Sequence, residues 1–374
     1  MAENRPFLER LKLSGYKSIR EAEIEFTRLN VLIGANGAGK SNLVSFFSLL
    51  SASLMGKASL DDYVGRHGGP NALLYFGARQ TSEIAVAATV RTAAGTGVLY
   101  QRLGFRTPDG LFYSANHAGT RTGVDRSNER GFYFFENVCV VVKKSGEGQP
   151  EELVHDGLLC DVASYHLVDT SLTASIRTEG YIEDNKRLNS NGSNLAAVLY
   201  RYKRTNENVY RRIRSTVRKI VAAFDDFVLE PRELNPRNIL LNWRQLGQDY
   251  LFGPHQFSDG ALRAIALVTV FQQPEDELPN LIVVDEPELG LHPHAMLIIS
   301  GLMRAASSHT QVLVATQSPT FLDDFDPSEV IVAEERERAS HYRRLAPEEL
   351  RDWLQQYSLG ELWQKNVLGG GPMP

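Results

Sequence analysis

The sequence predicts an α/β fold with a mixed central sheet, an antiparallel β layer and a helical lobe. Three observations carry this. A glycine-rich stretch, Gly34–Ser41, stands between the apolar run Leu29–Ile33 and an apolar helical segment. Two more continuous apolar runs, Leu281–Val284 and Val312–Ala315, read as strands buried on both faces, which belong inside a parallel sheet. From about Thr170 the pattern changes, and Asn194–Phe224 has a strong helical period.

In chain order, Leu11–Leu13 and the alternating Ala22, Ile24 and Phe26 read as strands before Leu29–Ile33. Lys40 to about Met55 suits a helix buried on most sides. Ile84–Val90, Val98–Phe105 and Phe132–Val142 read as strands of the antiparallel layer. After the helical stretch come Arg237–Trp243, a Gly253–Pro254 turn and a second helix over about Asp259–Gln272. A further helix, about His294–Ala306, separates the two buried strands. The terminal GGGPMP is expected to fray.

At 374 residues, with 43% hydrophobic and 23% charged side chains, the chain has ample material for a core. No apolar run approaches the roughly 20 residues needed to span a bilayer, and the N-terminus lacks signal-peptide character. A cytoplasmic protein with no membrane partner is expected. Cys139 and Cys160 give no metal spacing and read as two buried thiols. A net charge of −5 argues against indiscriminate coating of nucleic acid, though not against a local basic face.

Gly34-Ala35-Asn36-Gly37-Ala38-Gly39-Lys40-Ser41 fits GxxxxGK[ST] after a strand and before a helix. The glycines let backbone N–H groups curl round a phosphate, and the helix N-terminus adds partial positive charge. Lys40 is suited to the β/γ oxygens and the Ser41 hydroxyl to Mg²⁺; Asn42 follows in the first turn. Leu281–Val284 ends in Asp285 and Glu286, delivered to the ligand crevice of the sheet. Asp285 is suited to hold Mg²⁺ and Glu286 to polarise an attacking water, which favours hydrolysis over transfer to a second molecule. Val312–Ala315 ends in Thr316-Gln317-Ser318, and Gln317 is suited to bond the γ-phosphate or the water. Ser258 is a good N-cap for the second helix, and Gly260 keeps its first turn bare.

In this order, GANGAGKS, FSDGALR, LIVVDEPELGLHPHA and LVATQSP resemble the ATPase heads of the ABC superfamily, closest to the RecF/SMC-like and OLD-like branch. YHLVDTS at 165–171, SNLAAVLY at 193–200 and YSLGELWQKNVLGGGP at 357–372 extend the likeness to single-head RecF-like ATPases. The resemblance implies one phosphate-loop NTPase head over 1–374. Lobe I would cover about 1–168 and 280–368, helical lobe II about 169–279, and 369–374 would be a flexible tail. It implies ATP and Mg²⁺ held in a head-to-tail homodimer. Lys40, Ser41, Asp285 and Glu286 of one copy would face Ser258 and Gly260 of the other, with Glu288–His292 crossing between them. Gln317 takes the place of a switch histidine. Asp169 and Thr170 lie about where a glutamine loop would be sought, and Lys17 and Ser18 near the adenine side. It also implies work in DNA maintenance, repair or anti-phage defence with a separate, Toprim-like nuclease or other effector. A transporter ATPase subunit and a scaffold with little turnover are the alternatives.

His292 and His294 form an HxH pair that lacks a third metal ligand at a usual distance. Arg201, Arg204, Arg211, Arg212, Arg218 and Lys219 recur at helical spacing opposite an apolar face. They read either as a solvated surface or as a DNA/RNA face able to neutralise several phosphates.

Overall fold

The computed structural model describes residues 5–92, 95–106, 110–113, 123–125, 130–135, 138–143 and 161–371. The reading of Cys139 and Cys160 as buried thiols falls on side chains outside the described residues.

The chain opens with β1 (Phe7–Tyr16), β2 (Ile19–Glu25) and β3 (Leu29–Ile33), then α1 (Lys40–Leu54), α2 (Lys57–Arg66) and the short α3 (Pro70–Leu73). The antiparallel strands follow: β4 (Glu83–Thr92), β5 (Gly95–Arg106), β6 (Gly110–Tyr113), β7 (Gly123–Asp125), β8 (Arg130–Phe135) and β9 (Val138–Lys143). These pair with β1 and β2 in the order β2-β1-β4-β5-β9-β8-β7, with β6 also on β5. The single strand expected at Phe132–Val142 is therefore two, β8 and β9, paired antiparallel with Phe135 opposite Val138.

β10 (Val162–Tyr165) leads into the second lobe, where β11 (Gly180–Tyr181) precedes α4 (Leu195–Thr205) and α5 (Glu207–Ile220). Then come β12 (Phe224–Val228), β13 (Pro231–Arg232), β14 (Asn235–Ile239), β15 (Asn242–Gln245), β16 (Leu251–Phe252) and α6 (Asp259–Phe271). The one helical stretch predicted from Asn194 is thus broken at Asn206, whose φ of −145° is not helical and whose side chain accepts from Val209 N to cap α5. Phe224, expected on the helix, begins a strand instead.

The chain returns through β17 (Leu281–Asp285), α7 (Pro293–Ser307), β18 (Gln311–Ala315), α8 (Pro319–Leu322), β19 (Val330–Arg336), β20 (Ala339–Arg344), α9 (Pro347–Leu350) and α10 (Leu359–Gln364). The central sheet runs β10-β17-β18-β3-β19-β20, parallel except for β20. Its strands alternate strictly between two cores. Val31, Val284, Val314 and Val332 face the helices of the second lobe with α7 and α10, while Leu32, Val283, Leu313 and Ile331 face α1 and the antiparallel sheet. Each such side chain taken out of water contributes about 1.5–3 kcal/mol before entropy is counted, so the centre of the sheet is rigid. Register places the C-terminal ends of β10, β17, β18 and β3 side by side, with Tyr165 opposite Val284, Asp285 opposite Ala315, and Ala315 opposite Leu32.

The expected fraying from 369 does not hold for Gly369–Gly371. Positive φ at Gly369 and Gly370 turns the chain back, so that Gly370 O accepts from Ala35 N at 2.6 Å and Gly371 N donates to Asn366 Oδ1 at 3.0 Å. Gly370 is thereby laid against the glycine-rich loop.

Candidate nucleotide site

The loop after β3 lies so close to β19 and β20 that side chains are excluded. A Cβ on Gly34 would stand 2.4 Å from Ala333 O, and one on Gly39, at φ +101°, 2.0 Å from Ser340 Oγ. Gly39 is also the N-cap of α1, and no side chain caps that helix. Its first N–H groups have no intrahelical acceptor, which leaves them for an anion. Lys40 is only 5% exposed, and its Nζ donates to Gly34 O at 2.7 Å and Ala35 O at 3.1 Å. Burial lowers its pKa, while the charges of Glu286, Asp285 and Glu288 pull it back up. A cleft of about 960 Å³ opens beside the loop, lined by Asn36, Ala38 and Gln317 together with Glu334, Trp363 and Gly370. Gly37 is at φ +82° with open space around it.

Lys17 and Ser18 reach the first turns of α1. Lys17 Nζ donates to Ser45 Oγ at 2.8 Å, and Asn42 Nδ2 to Ser18 Oγ at 2.6 Å. Ser18 Oγ is in turn 2.7 Å from Ser340 Oγ.

At the end of β17, Asp285 stands beside the Ser41 side chain. Its Oδ1 is buried with no hydrogen-bond partner. Burial raises the pKa of Asp285, opposed by nearby His166 and by the Ser41 hydroxyl. A buried, unpartnered carboxylate oxygen beside a serine hydroxyl is a hard-oxygen donor set, and these two residues fit a Mg²⁺ ion. The next residue, Glu286, is held at φ +48°, a conformation costing a non-glycine residue roughly 1–2 kcal/mol. Its N–H donates to Ala315 O at 2.8 Å, and its carboxylate accepts from Gln317 Nε2. Lys40, Ser41, Asp285, Glu286 and Gln317 therefore converge at one edge of the sheet.

Two residues at this edge escaped sequence reasoning in these roles. Glu288 Oε1 accepts from Thr316 Oγ1 at 2.6 Å and from Gln317 N at 3.1 Å, tying the loop after β17 to the end of β18. Burial pushes its carboxyl up. His166 follows β10 directly, and its Nδ1 lies 4.0 Å from Asp285 Oδ2. The signal for it was the strand itself: Tyr165 pairs with Val284, so the next residue must stand beside Asp285. Asp169 Oδ1 accepts from Ser171 N at 3.1 Å, and Thr170 O accepts from buried Arg177 at 2.8 Å.

The tip of α6 follows the turn at 253–258. Stacking of Phe257 on Trp243, 4.5 Å between ring centroids, anchors the approach. Arg177 then clamps the turn, donating to Pro254 O (2.6 Å), Phe257 O (3.0 Å) and Asp259 Oδ1 (2.6 Å). Ser258 Oγ accepts from Ala261 N at 3.2 Å and stays exposed. Gly260 has a reason to be glycine within its own chain: a Cβ there would meet Gly290 O at 2.0 Å.

The basic set is not one stripe. It spans two helices that meet at Asn206, and most of its members have partners. Arg201 bonds both oxygens of Glu277 (2.8 and 2.5 Å) and Asn185 O. Arg212 donates to Gln272 O at 2.8 Å, and Arg218 to Asp225. Arg211 is 3.4 Å from Glu207, and Arg204 lies over the Tyr200 ring. Lys219 is exposed. The apolar spacing that predicted one face also suits two helices packed on a common core, and periodicity alone does not see the break. His292 serves as the cap of α7, its Nδ1 accepting from His294 N at 3.3 Å.

Two family models match the chain. One, described as "AAA domain, putative AbiEii toxin, Type IV TA system", covers residues 167–323, and another, "AAA domain", covers residues 10–86. No curated protein matches. Among solved structures, an Smc head bound to the C-winged helix domain of ScpA is similar at 17% identity and TM-score 0.59, covering 92% of this chain and 99% of that one. A Pyrococcus furiosus Smc head with an extended coiled coil, bound to the C-terminal domain of ScpA, matches at 15% and 0.59, over 94% and 99%. A Pyrococcus yayanosii Smc head with a coiled coil and joint matches at 14% and 0.54, over 94% and 99%. Among the described residues no helix is long and apolar enough to cross a membrane. The chain therefore has the fold of the Smc head domains it matches, with AAA-domain models matching two of its segments.

Proposed function

We propose that this chain hydrolyses Mg-ATP between two copies of itself arranged head to tail. The observation that carries this is the meeting of Lys40, Ser41, Asp285 and Glu286 at one sheet edge, with Asp285 Oδ1 buried and unpartnered and Glu286 strained and bonded to Gln317. Backbone N–H groups of Gly37 to Ser41 hold the β-phosphate, and Asn36, Ala38 and Asn42 flank it. Lys40 leaves the carbonyls of Gly34 and Ala35 for the β/γ oxygens. Ser41 and Asp285 hold Mg²⁺, which when bound neutralises phosphate charge. Glu286 takes a proton from the water that attacks the γ-phosphorus; the Pγ–O bond to ADP breaks, and ADP and phosphate leave. Gln317 orients Glu286 and that water. Ser258 and Gly260 of the second copy cover the γ-phosphate with the exposed tip of α6, whose N-terminal dipole favours an anion.

We further read the activity as serving DNA maintenance or defence against mobile DNA from the cytoplasm, acting on a separately encoded effector such as a Toprim-like nuclease. Support comes from the toxin–antitoxin description of the model over 167–323 and the likeness to Smc heads. Arg204, Arg211 and Lys219 are exposed cations of α4 and α5 that could meet a phosphate backbone, Arg211 by giving up Glu207.

The test is ATP turnover and sedimentation of wild type, Lys40→Ala and Glu286→Gln, with and without DNA. Lys40→Ala should lose ATP binding. Glu286→Gln should slow turnover about 10²- to 10⁴-fold and accumulate an ATP-bound dimer. Full-affinity ATP binding by Lys40→Ala would sink the site assignment, and a Glu286→Gln chain that stays monomeric with ATP would sink the dimer. Turnover indifferent to DNA would remove the nucleic-acid role.

A further inference from the structure

Arg263 lies in α6 and is 6% exposed, yet no acidic side chain is its hydrogen-bond partner. Its guanidinium bonds three backbone carbonyls instead. Nε donates to Leu167 O at 2.7 Å, Nη2 to Val168 O at 2.9 Å, and Nη1 to Leu289 O. These acceptors belong to two segments far apart in the chain. Leu167 and Val168 directly follow His166, the neighbour of Asp285. Leu289 sits in the loop from Glu286, and its N–H donates to Glu286 O at 3.3 Å. The same loop touches the helix tip, with the Cα of Gly260 3.7 Å from an ideal Cβ on Gly290. That Cβ would also lie 3.1 Å from Arg263 Nη1. One planar fork therefore joins the helix whose tip carries Ser258 and Gly260 to both segments that flank the chain's own acidic pair.

The geometry points to Arg263 as a positioning residue that makes the tip of α6 move with its own chain's ATP site, so that filling one site sets the surface that closes the other. This rests on the head-to-tail dimer proposed above. A lysine cannot reproduce it, because an ammonium is a point donor on a flexible stem and three carbonyls in a fork need a guanidinium. The consequence is thermodynamic coupling between two equivalent sites, seen as sigmoidal dependence on ATP. Removing the fork leaves Lys40, Ser41 and Asp285 where they are, so a single chain still binds ATP.

The test compares wild type with Arg263→Lys, and with Gly290→Ala as a second variant that crowds the guanidinium without removing it. Three quantities are read: affinity of the isolated chain for a fluorescent ATP analogue, kcat with the Hill coefficient for ATP, and ATP-dependent dimerisation in a Glu286→Gln background. The expected result is analogue affinity within about threefold of wild type, kcat and dimer affinity down about 5- to 150-fold, and a Hill coefficient falling to 1. Cooperativity and dimerisation retained in either folded variant would overturn the proposal. So would a loss of analogue affinity as large as the loss of kcat, since that is what a merely structural role gives. If the Glu286→Gln chain with Arg263 intact fails to dimerise, the dimer itself is wrong; if it dimerises equally with and without Arg263→Lys, only the coupling is wrong.

Discussion

Gly260 separates two explanations of a bare helix tip. If it is glycine only to admit a partner's ATP, Gly260→Ala should leave the isolated chain as stable as before. The structure predicts otherwise, because the new methyl would stand 2.0 Å from Gly290 O and 2.9 Å from Gly290 C, with backbone on both sides. Relief requires α6 or the Glu288–His292 loop to shift by more than 1 Å, and overpacking of this kind costs about 1–3 kcal/mol. The gain from removing a helical glycine is about 1 kcal/mol, and a backbone clash at 2.0 Å belongs at the upper end of the overpacking cost, so the net loss is about 1–2 kcal/mol if the loop yields and nearer 3 if Arg263 holds it. At roughly 2.1 cal/mol/K of unfolding entropy per residue, a chain of 374 residues melts about 1.3 °C lower per kcal/mol. Thermal unfolding without nucleotide should therefore fall by about 1–4 °C, and a companion Arg263→Lys should reduce that drop by freeing the loop. An unchanged or raised melting temperature for Gly260→Ala, alone and without ATP, would refute the within-chain contact as the reason for this glycine.

His166→Ala should raise the Mg²⁺ concentration needed for half-maximal turnover about 10- to 100-fold, the usual cost of losing a group that orders a metal's surroundings. ATP turnover titrated with Mg²⁺ measures it, and an unchanged midpoint would remove His166 from the site. Glu277→Gln should destabilise the chain at neutral pH by about 1–3 kcal/mol through the lost Arg201 and Tyr202 bonds, read by denaturant unfolding. The Arg201 bond holds the Glu277 carboxyl below the ordinary glutamate value of 4.5, so this stabilisation is present above that pH and is lost as pH falls through the folded value. The variant's deficit should accordingly shrink on acidification, and a constant deficit from pH 7 to pH 3 would contradict the assignment.

Much of the site was legible because its chemistry sits at strand ends. Continuous apolar runs such as Leu281–Val284 and Val312–Ala315 can be little else than buried parallel strands, and whatever follows them must emerge at one edge. That logic located Lys40, Asp285, Glu286 and Gln317 together, and it would have located His166 had Val162–Tyr165 been recognised as a strand of the same sheet. Four residues with a broken alternation, at the end of a turn-rich region, give no periodic signal to find. The two-helix break at Asn206 was hidden for a related reason: α4 and α5 bury the same core, so their apolar positions stay in phase across the joint.

The side chains that assemble the site from the other lobe were illegible for a deeper reason. Nothing in the sequence marks out Arg177 or Arg263, since their acceptors are mostly backbone carbonyls that any residue would present. Glu288 read as one position in a loop, although it bonds the end of β18. Their number of partners shows only when segments about 80 to 100 residues apart are brought together, as with Arg177 and Phe257 or Arg263 and Leu167. A buried arginine left without its acceptors costs far more than a surface one gains by pairing, so these carbonyl forks have one satisfactory arrangement. Arg263 thereby fixes α6 against the segments after β10 and β17, and Arg177 fixes the turn before α6. Changes at Arg177 or Arg263 should for that reason alter how the helix tip is presented before they alter what the glycine-rich loop binds.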